Sequence, residues 1–589
     1  MVLPMKQRIF SLLIVAFILL LGSVMLTSCA SGGFKDSFAP NMGSNELVGE
    51  EEFMFGESYN EINENPFYDT TYQPDSYFTM DSFTASYSNL RRYINQKQAL
   101  NGNVIKTDEL INYFDYDIKR PTNGETFAVT SEMSTAPWNE DNQVITIGVA
   151  TEEAEYIEGK ENNIVFLIDA SGSMDSPNKL PLLKDAFKLL LKELNPTDRV
   201  SIVTYANGVD VKADGIKAEN YLKLNRIISR ITAGGGTNGA GGIQTAYELA
   251  EKYLVQDGIN RVFLATDGDF NIGISDSNQL KELIQSKAQS GVYLSVLGFG
   301  MGNYQDTTVE TLAKYGNGTY AYVDSLAEAK KVLVDDFNKT MITVAKDVKN
   351  KVAFNPNLVS EYRLIGYENK SITKEEFEDV NADAGDLGSG HETLVTYEVK
   401  LKDNYQSINE ELFKLQINYK DPKTLTPKTF IYNGTKAELA EKDTEDHEFV
   451  KCIVEFSLIL RNSPYRGTAD YANLVARLAA LKCIKNDSLK LQFYMLVCTA
   501  FQDNLVAHPA YQNNQQSNGF IVTIYTQFGS VQARYNYNAF IDYNSIMLNV
   551  FGKVPTSTTF KMYLDPNYSC EFKEGLVVSD MDIYLIELK

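Results

Sequence analysis

Between residues 160 and 342 the chain alternates short, largely apolar runs with stretches of helical period. Ile164 to Ile168, repeated in pattern by Val262 to Thr266, lacks the alternation of a half-exposed strand, as a strand buried on both faces of a parallel sheet should, and Val200 to Tyr205 and Tyr293 to Phe299 read as further strands. Between the first two runs, Leu180, Leu183, Phe187, Leu190, Leu191 and Leu194 recur on one helical face, with Pro181 in the first turn and Pro196 beyond the end. Gly239 to Leu254, Leu280 to Ser290, Thr308 to Tyr315 and Ser325 to Ile342 read as further helices. Strands alternating with helices of this length predict an α/β domain with a doubly wound parallel sheet.

The flanks have a different texture. Ser88 to Asn95 and a segment starting at Thr107 read as helices, followed by strands at Phe127 to Met133 and Val144 to Ala150. After the α/β stretch come strands at Val348 to Phe354, Ser360 to Tyr367, Thr393 to Leu401 and Leu412 to Tyr419. Each set is too small to cover a sheet by itself, so the two are expected to pair into one β scaffold in which the α/β domain is an insertion. Helices at His447 to Leu460, Ala469 to Cys483 and Ser488 to Asp503 follow, and beyond Pro509 there are scattered strands, Phe520 to Tyr525, Thr558 to Tyr563 and Ile583 to Leu588. The predicted division is 1–28 leader, 29–75 acidic tether, 76–155 N-terminal flank, 160–342 α/β domain, 343–445 β-rich flank, 446–508 helical segment and 509–589 C-terminal extension.

At the start, Lys6 and Arg8 precede an apolar run from Ile9 to Leu21, the pattern of an export signal that is short for a spanning helix. An uncleaved helix extended to about Leu26 is the alternative, and both place the bulk of the chain outside the cytoplasm. The words Leu26-Thr27-Ser28-Cys29 resemble a bacterial lipobox, which implies a lipid on Cys29 and a membrane-anchored protein of the cell envelope. Residues 30–75 carry seven spaced glutamates among Gly, Ser and Asn, the composition of a solvated spacer.

A net charge of −23 argues against nucleic acid as a partner. Four of the five cysteines lie beyond residue 450, without zinc-ribbon or Cys-x-x-Cys spacing; Cys452, Cys483 and Cys498 are expected to be core thiols, a disulfide among them staying open. Three histidines (His391, His447, His508) leave little for hydrolytic catalysis.

Candidate chemistry begins where the first apolar run ends, in Asp169-Ala170-Ser171-Gly172-Ser173. Strand C-termini are where loops of an open α/β sheet build ligand sites, and Asp169, Ser171 and Ser173 offer three oxygens to a hard cation such as Mg²⁺. The flexible turn Gly234-Gly235-Gly236 can bring the Thr237 hydroxyl to the same crest, and Val262 to Thr266 ends in a second carboxylate, Asp267. Three rival chemistries fit less well. A phosphotransfer aspartate needs an acid where Ser171 stands. An EF-hand starting at Asp267 needs glycine at Ile272 and glutamate at Asn278. A nucleotide-binding P-loop needs a Gly-Lys-Ser/Thr that is absent after Gly236.

The order Asp-x-Ser-x-Ser, Thr, Asp resembles a von Willebrand factor type A domain with its metal-ion-dependent adhesion site. That resemblance implies Ser171, Ser173 and Thr237 as direct or near-direct ligands of Mg²⁺ (or Mn²⁺ or Ca²⁺), with Asp169 and Asp267 acting largely through water. Asn89 to Ile94, Glu109 to Tyr116, Pro137-Trp138-Asn139, Tyr362 to Asn369 and Asp383 to His391 resemble the flanks of a bacterial group of type A lipoproteins. The implied function is non-enzymatic: capture of an exposed Asp or Glu of a protein partner through the metal. A surface scaffold or companion subunit of an envelope complex, with a structural metal, is the alternative, and a metal-dependent enzyme is a third reading. Resemblance to integrin type A domains further implies a last helix, Ser325 to Ile342, that shifts with the metal's ligands; a helix fixed by the flank is the alternative.

Overall fold

A computed structural model describes residues 56–154, 161–256, 258–268, 277–288, 290–403, 410–435, 439–440 and 444–507, and strands within 519–588. In chain order, the N-terminal flank supplies strands β1 (Tyr68–Asp69) and β2 (Asp75–Thr79), helices Ala85–Asn95 and Thr107–Ile111, and the hairpin β3 (Phe127–Ala136) and β4 (Asn139–Thr151). The α/β domain supplies β5 (Asn163–Asp169), β6 (Arg199–Tyr205), β7 (Val209–Lys217), β8 (Asn260–Thr266), β9 (Tyr293–Phe299) and β10 (Tyr320–Val323). The C-terminal flank adds β11 (Thr343–Phe354), β12 (Val359–Ile365), β13 (Gly385–Gly388), β14 (Glu392–Leu401), β15 (Glu411–Lys420), β16 (Pro427–Thr435) and β17 (Leu439–Ala440).

The domain sheet runs β10-β9-β8-β5-β6-β7, parallel except for the antiparallel edge strand β7. The unbroken apolar run of β5 has a direct cause. Ile164, Phe166 and Ile168 face one core with helix Leu180–Glu193, whereas Val165 and Leu167 face the other with helix Gly239–Lys252, so neither face of β5 can be polar. Register places Asp169 beside Tyr205 and Ile168 beside Ala265, which aligns the ends of β5, β6 and β8 at one sheet edge. The antiparallel β7 and the helix Tyr221–Ser229 are additions that periodicity did not predict.

The two flanks form one scaffold, with the domain inserted between them. β4 pairs with β14 along Gln143 to Ala150, in a sheet ordered β1-β12-β14-β4-β3-β17. β2 pairs with β11 in a second sheet, β13-β11-β15-β16, and the facing sides share one core containing Phe78, Ile147, Val352, Tyr397 and Phe413. Helices Glu445–Leu460, Tyr471–Ala480 and Ser488–Ala507 pack with Ala85–Asn95 in a further core, where Trp138 is wholly buried. Cys452, Cys483 and Cys498 are unpaired there. In the C-terminal extension, Gly519–Thr526, Gly529–Asn536, Thr559–Tyr563 and Met581–Leu588 make a four-stranded sheet.

Two expectations are corrected. The spacer predicted over 29–75 does not extend to 75: Tyr68 and Asp69 pair with β12, the Glu57 side chain is 3% exposed, and Phe67 lies edge-on to Tyr465. The glutamates read as solvated there are partly ion-pair partners, with Glu57 on Arg92 and Glu64 beside Arg363 and Arg461. The last domain helix is not continuous but breaks into Leu326–Lys330, a π-helical turn Lys331–Asp335, and Phe337–Met341. The break still buries Ala329, Leu333, Phe337 and Met341 against the domain, while Leu326 is exposed.

Candidate metal centre

Asp169 closes β5 and is held from three sides. Its Oδ1 accepts the Ser171 N–H at 2.9 Å, and its Oδ2 accepts the Thr266 hydroxyl at 2.9 Å and the Tyr205 hydroxyl at 3.1 Å. The first of these bonds turns the chain out of the strand into the short 3₁₀ turn Gly172–Met174, which leaves the Ser171 and Ser173 hydroxyls 3.0 Å apart. The glycine-rich loop is laced to this turn: Gly234 N–H donates to the Ala170 carbonyl and Gly172 N–H to the Gly235 carbonyl, each at 2.9 Å. Gly235 sits at φ +88° with the Asn207 side chain where a Cβ would stand, so a side chain is excluded there on both counts. Asn207 accepts the Gly236 N–H at 2.6 Å, and Asn238 N–H donates to the Ala206 carbonyl at 2.7 Å, seating buried Thr237 between these bonds.

Asp267, also fully buried, follows β8. Its Oδ2 accepts Lys179 Nζ at 2.9 Å and Asn303 Nδ2 at 3.0 Å, and Asn303 Oδ1 accepts Lys179 Nζ at 2.6 Å. Burial and the neighbouring Asp267 charge push the Asp169 carboxyl up to about 6. Two buried carboxylates close enough for the charge of Asp267 to act on Asp169 make a negative site that a divalent cation would neutralise, and with the hydroxyls they form a hard-oxygen donor set. Among the described residues no three of His, Cys, Asp and Glu gather to hold a metal, so a cation here would rest on hydroxyls and two carboxylates.

Of the predicted site residues, the structure brings Asp169, Ser171 and Ser173 onto one turn, laces the Thr237 loop to it, and sets Asp267 within electrostatic reach of Asp169. Cys29, with the leader, lies outside the described residues. Sequence reasoning missed Tyr205, Thr266, Asn303 and Lys179. A signal for Lys179 existed: it stands at the N-cap of Leu180–Glu193, where the helix dipole disfavours a cation unless a carboxylate compensates.

The rim is completed by the N-terminal flank. Glu57 Oε1 accepts the Gly302 N–H at 2.6 Å and Arg92 Nη1 at 2.8 Å. Ser58 N–H donates to the Tyr304 carbonyl and Asp306 N–H to the Ser58 carbonyl, each at 3.0 Å. The loop that carries Asn303 is thus pinned by residues 57–58.

Three family descriptions match this chain: von Willebrand factor over residues 54–146, von Willebrand factor type A domain over 163–336, and the C-terminal region of the uncharacterized protein YfbK over 339–503. The uncharacterized protein YfbK of Escherichia coli (strain K12) is 35% identical over 447 residues, which span 71% of this chain and 76% of that protein. The chain belongs to the YfbK family. Its α/β portion is a von Willebrand factor type A domain. A more distant relative of this YfbK-family chain is the inter alpha-trypsin inhibitor heavy chain 4 of Mus musculus, 27% identical over 201 residues, 33% of this chain and 21% of that protein. Among solved structures, a von Willebrand factor type A protein from Catenulispora acidiphila covers 67% of this chain and 90% of its own at 15% identity and TM-score 0.37. The ArnB paralog VWA2 from Sulfolobus acidocaldarius covers 64% and 98% at 15% identity and TM-score 0.32.

Proposed function

We propose that this YfbK-family chain is an exported, membrane-anchored binding protein that holds Mg²⁺ or Mn²⁺ at the edge of its type A domain and uses it to capture an acidic group of a protein partner. The observation that carries the reading is the convergence of the Asp169 turn, the Thr237 loop and the Asp267 strand end, with both carboxylates oriented by neighbouring donors. Ser171, Ser173 and Thr237 would hold the cation directly, with Asp169 and Asp267 behind them through water. Bound there, it would supply a Lewis-acidic position to which an incoming carboxylate adds. The chain's own residues do the positioning. Thr266 and Tyr205 fix one Asp169 oxygen, Asn303 and Lys179 fix one Asp267 oxygen, and the tight contact between Gly172 and Gly235 keeps the two loops together. We read binding rather than catalysis because Ser171 stands where phosphotransfer chemistry needs an acid.

The test is retention of envelope proteins by the immobilised chain with and without a chelator, beside Asp169→Ala. Partner capture that is lost in both, with the Asp169→Ala fold intact by Trp138 fluorescence, supports the reading; capture indifferent to chelation refutes it. The anchor is part of the same proposal. Among the described residues no helix is long and apolar enough to cross a membrane. Cys29→Ser should abolish incorporation of labelled fatty acid and release the chain from membranes; incorporation that does not need Cys29 refutes the anchor.

A further inference from the structure

Lys179 is buried with its side chain 6% exposed, and its Nζ is spent on Asp267 and Asn303, at 2.9 Å and 2.6 Å. The surroundings are shaped for it. Gly300 sits at φ +85°, and a Cβ there would overlap the Lys179 stem, so the loop after β9 leaves room for this side chain. The main chain is fixed as well, the Lys179 N–H donating to the Ser176 carbonyl and the Lys179 carbonyl accepting the Leu183 N–H, each at 2.9 Å. The cation therefore stands over one of the two carboxylates. Among the described residues Asp169, by contrast, takes its bonds from neutral donors, the Ser171 N–H and the Thr266 and Tyr205 hydroxyls among them. Counting Asp169, Asp267 and Lys179, the centre presents one net negative charge rather than two.

We propose that Lys179 is a built-in counter-cation of the centre: by neutralising Asp267 it leaves a divalent ion one negative charge short, so that tight occupation requires the carboxylate of an acidic partner. The inference rests on the metal reading above. It makes the lysine a determinant of when the site fills, not a ligand. Without it, the centre would hold its ion whether or not a partner is present. With it, ion and partner carboxylate bind cooperatively, since each supplies charge the other needs.

The test is Mn²⁺ titration of the full chain, free ion being read by electron paramagnetic resonance, for the wild type, Lys179→Met, Lys179→Gln and Asp169→Ala. Removing the positive charge should tighten Mn²⁺ by at least about tenfold, the size of one full charge acting on a divalent ion even under water-like screening. Added acetate should tighten Mn²⁺ binding in the wild type more than in Lys179→Met. Should Lys179→Met fold poorly without metal, Lys179→Gln keeps a donor for Asp267, and a larger Mn²⁺-induced rise in melting temperature than in the wild type reports the same effect. Wild-type binding that disappears in Asp169→Ala but is no tighter in either lysine variant overturns this inference and leaves the metal centre standing. No Mn²⁺ binding in any variant overturns both.

Discussion

Replacing Glu57 by Gln isolates the strap that pins the rim of the candidate centre. The Glu57 carboxylate is buried with Arg92, whose Nη1 and Nη2 lie 2.8 and 2.9 Å from its two oxygens, and it also accepts the Gly302 N–H and the Tyr93 hydroxyl at 2.6 and 2.7 Å. Burial alone would raise its proton affinity. The Arg92 guanidinium and these donors outweigh burial and hold the carboxyl at about 2, against an ordinary 4.5. That difference corresponds to about 3 kcal/mol of stability at neutral pH. The same size follows from the other side, since removing one partner of a buried ion pair strands the remaining charge at a cost of ~3–5 kcal/mol. Because the folded carboxylate titrates below the unfolded one, its contribution is complete above about pH 4.5 and is lost as pH falls towards 2. Urea unfolding followed by fluorescence of Trp138, the sole tryptophan and fully buried, should place Glu57→Gln about 3 kcal/mol below the wild type at pH 7, the gap closing by about 2 kcal/mol at pH 3. Because Gly302 is next to Asn303, Mn²⁺ affinity should fall in the same variant. A gap below about 0.5 kcal/mol at pH 7, or one that does not narrow with acid, would refute the reasoning.

Three further outcomes follow from the same structure. Lys106 Nζ is held by Asp306 and Glu310 at 3.1 Å and Glu109 at 3.4 Å, so Lys106→Met should destabilise by ~3–5 kcal/mol at pH 7.5 in thermal melts, and by less at lower pH as the stranded carboxylates take up protons; a loss under about 1 kcal/mol contradicts this. His391, buried near Lys339 and Lys331 with Asp336 and Asp115 opposing them, is pushed down to about 3 chiefly by burial. Its neutral form is therefore the folded one, and between pH 6.5 and pH 5 the wild type should lose about 2 kcal/mol more stability than His391→Gln; parallel pH curves would rule this out. Glu328 on the last domain helix accepts Arg91 Nη2 at 2.8 Å and the Tyr113 hydroxyl at 2.6 Å, while Asp324 accepts Arg91 Nε at 2.8 Å, which anchors that helix to the N-terminal flank. A disulfide joining helices Leu326–Lys330 and Leu180–Glu193 should accordingly change Mn²⁺ affinity by less than about twofold; a larger change would show a moving helix.

Local pattern was sufficient wherever the physical cause is local or periodic. The doubly wound sheet was legible because β5, β6, β8 and β9 are buried on both faces, which forces largely apolar runs onto the sequence itself, unbroken from Ile164 to Ile168. The Asp169 turn, the glycines before Thr237 and the carboxylate of Asp267 were legible for a related reason: strand ends and tight turns write their residue types into a few adjacent positions. The insertion of the domain into one β scaffold was inferred from the size of the flanks. The pairing of Val149 with Thr393 and of Phe78 with Asn350 is a register that only the folded chain specifies. Residues 56–75 were misread because glutamates look alike whether solvated or paired. What distinguishes Glu57 is Arg92, thirty-five positions away, and Gly302, farther still. Lys179 was hidden in the same way, since its partners Asp267 and Asn303 lie 88 and 124 residues on. Charge compensation in a buried site depends on distance in space, which chain order does not encode, and so the sequence determined the sheet and its oxygen-rich edge while tertiary structure alone decided which charges meet there.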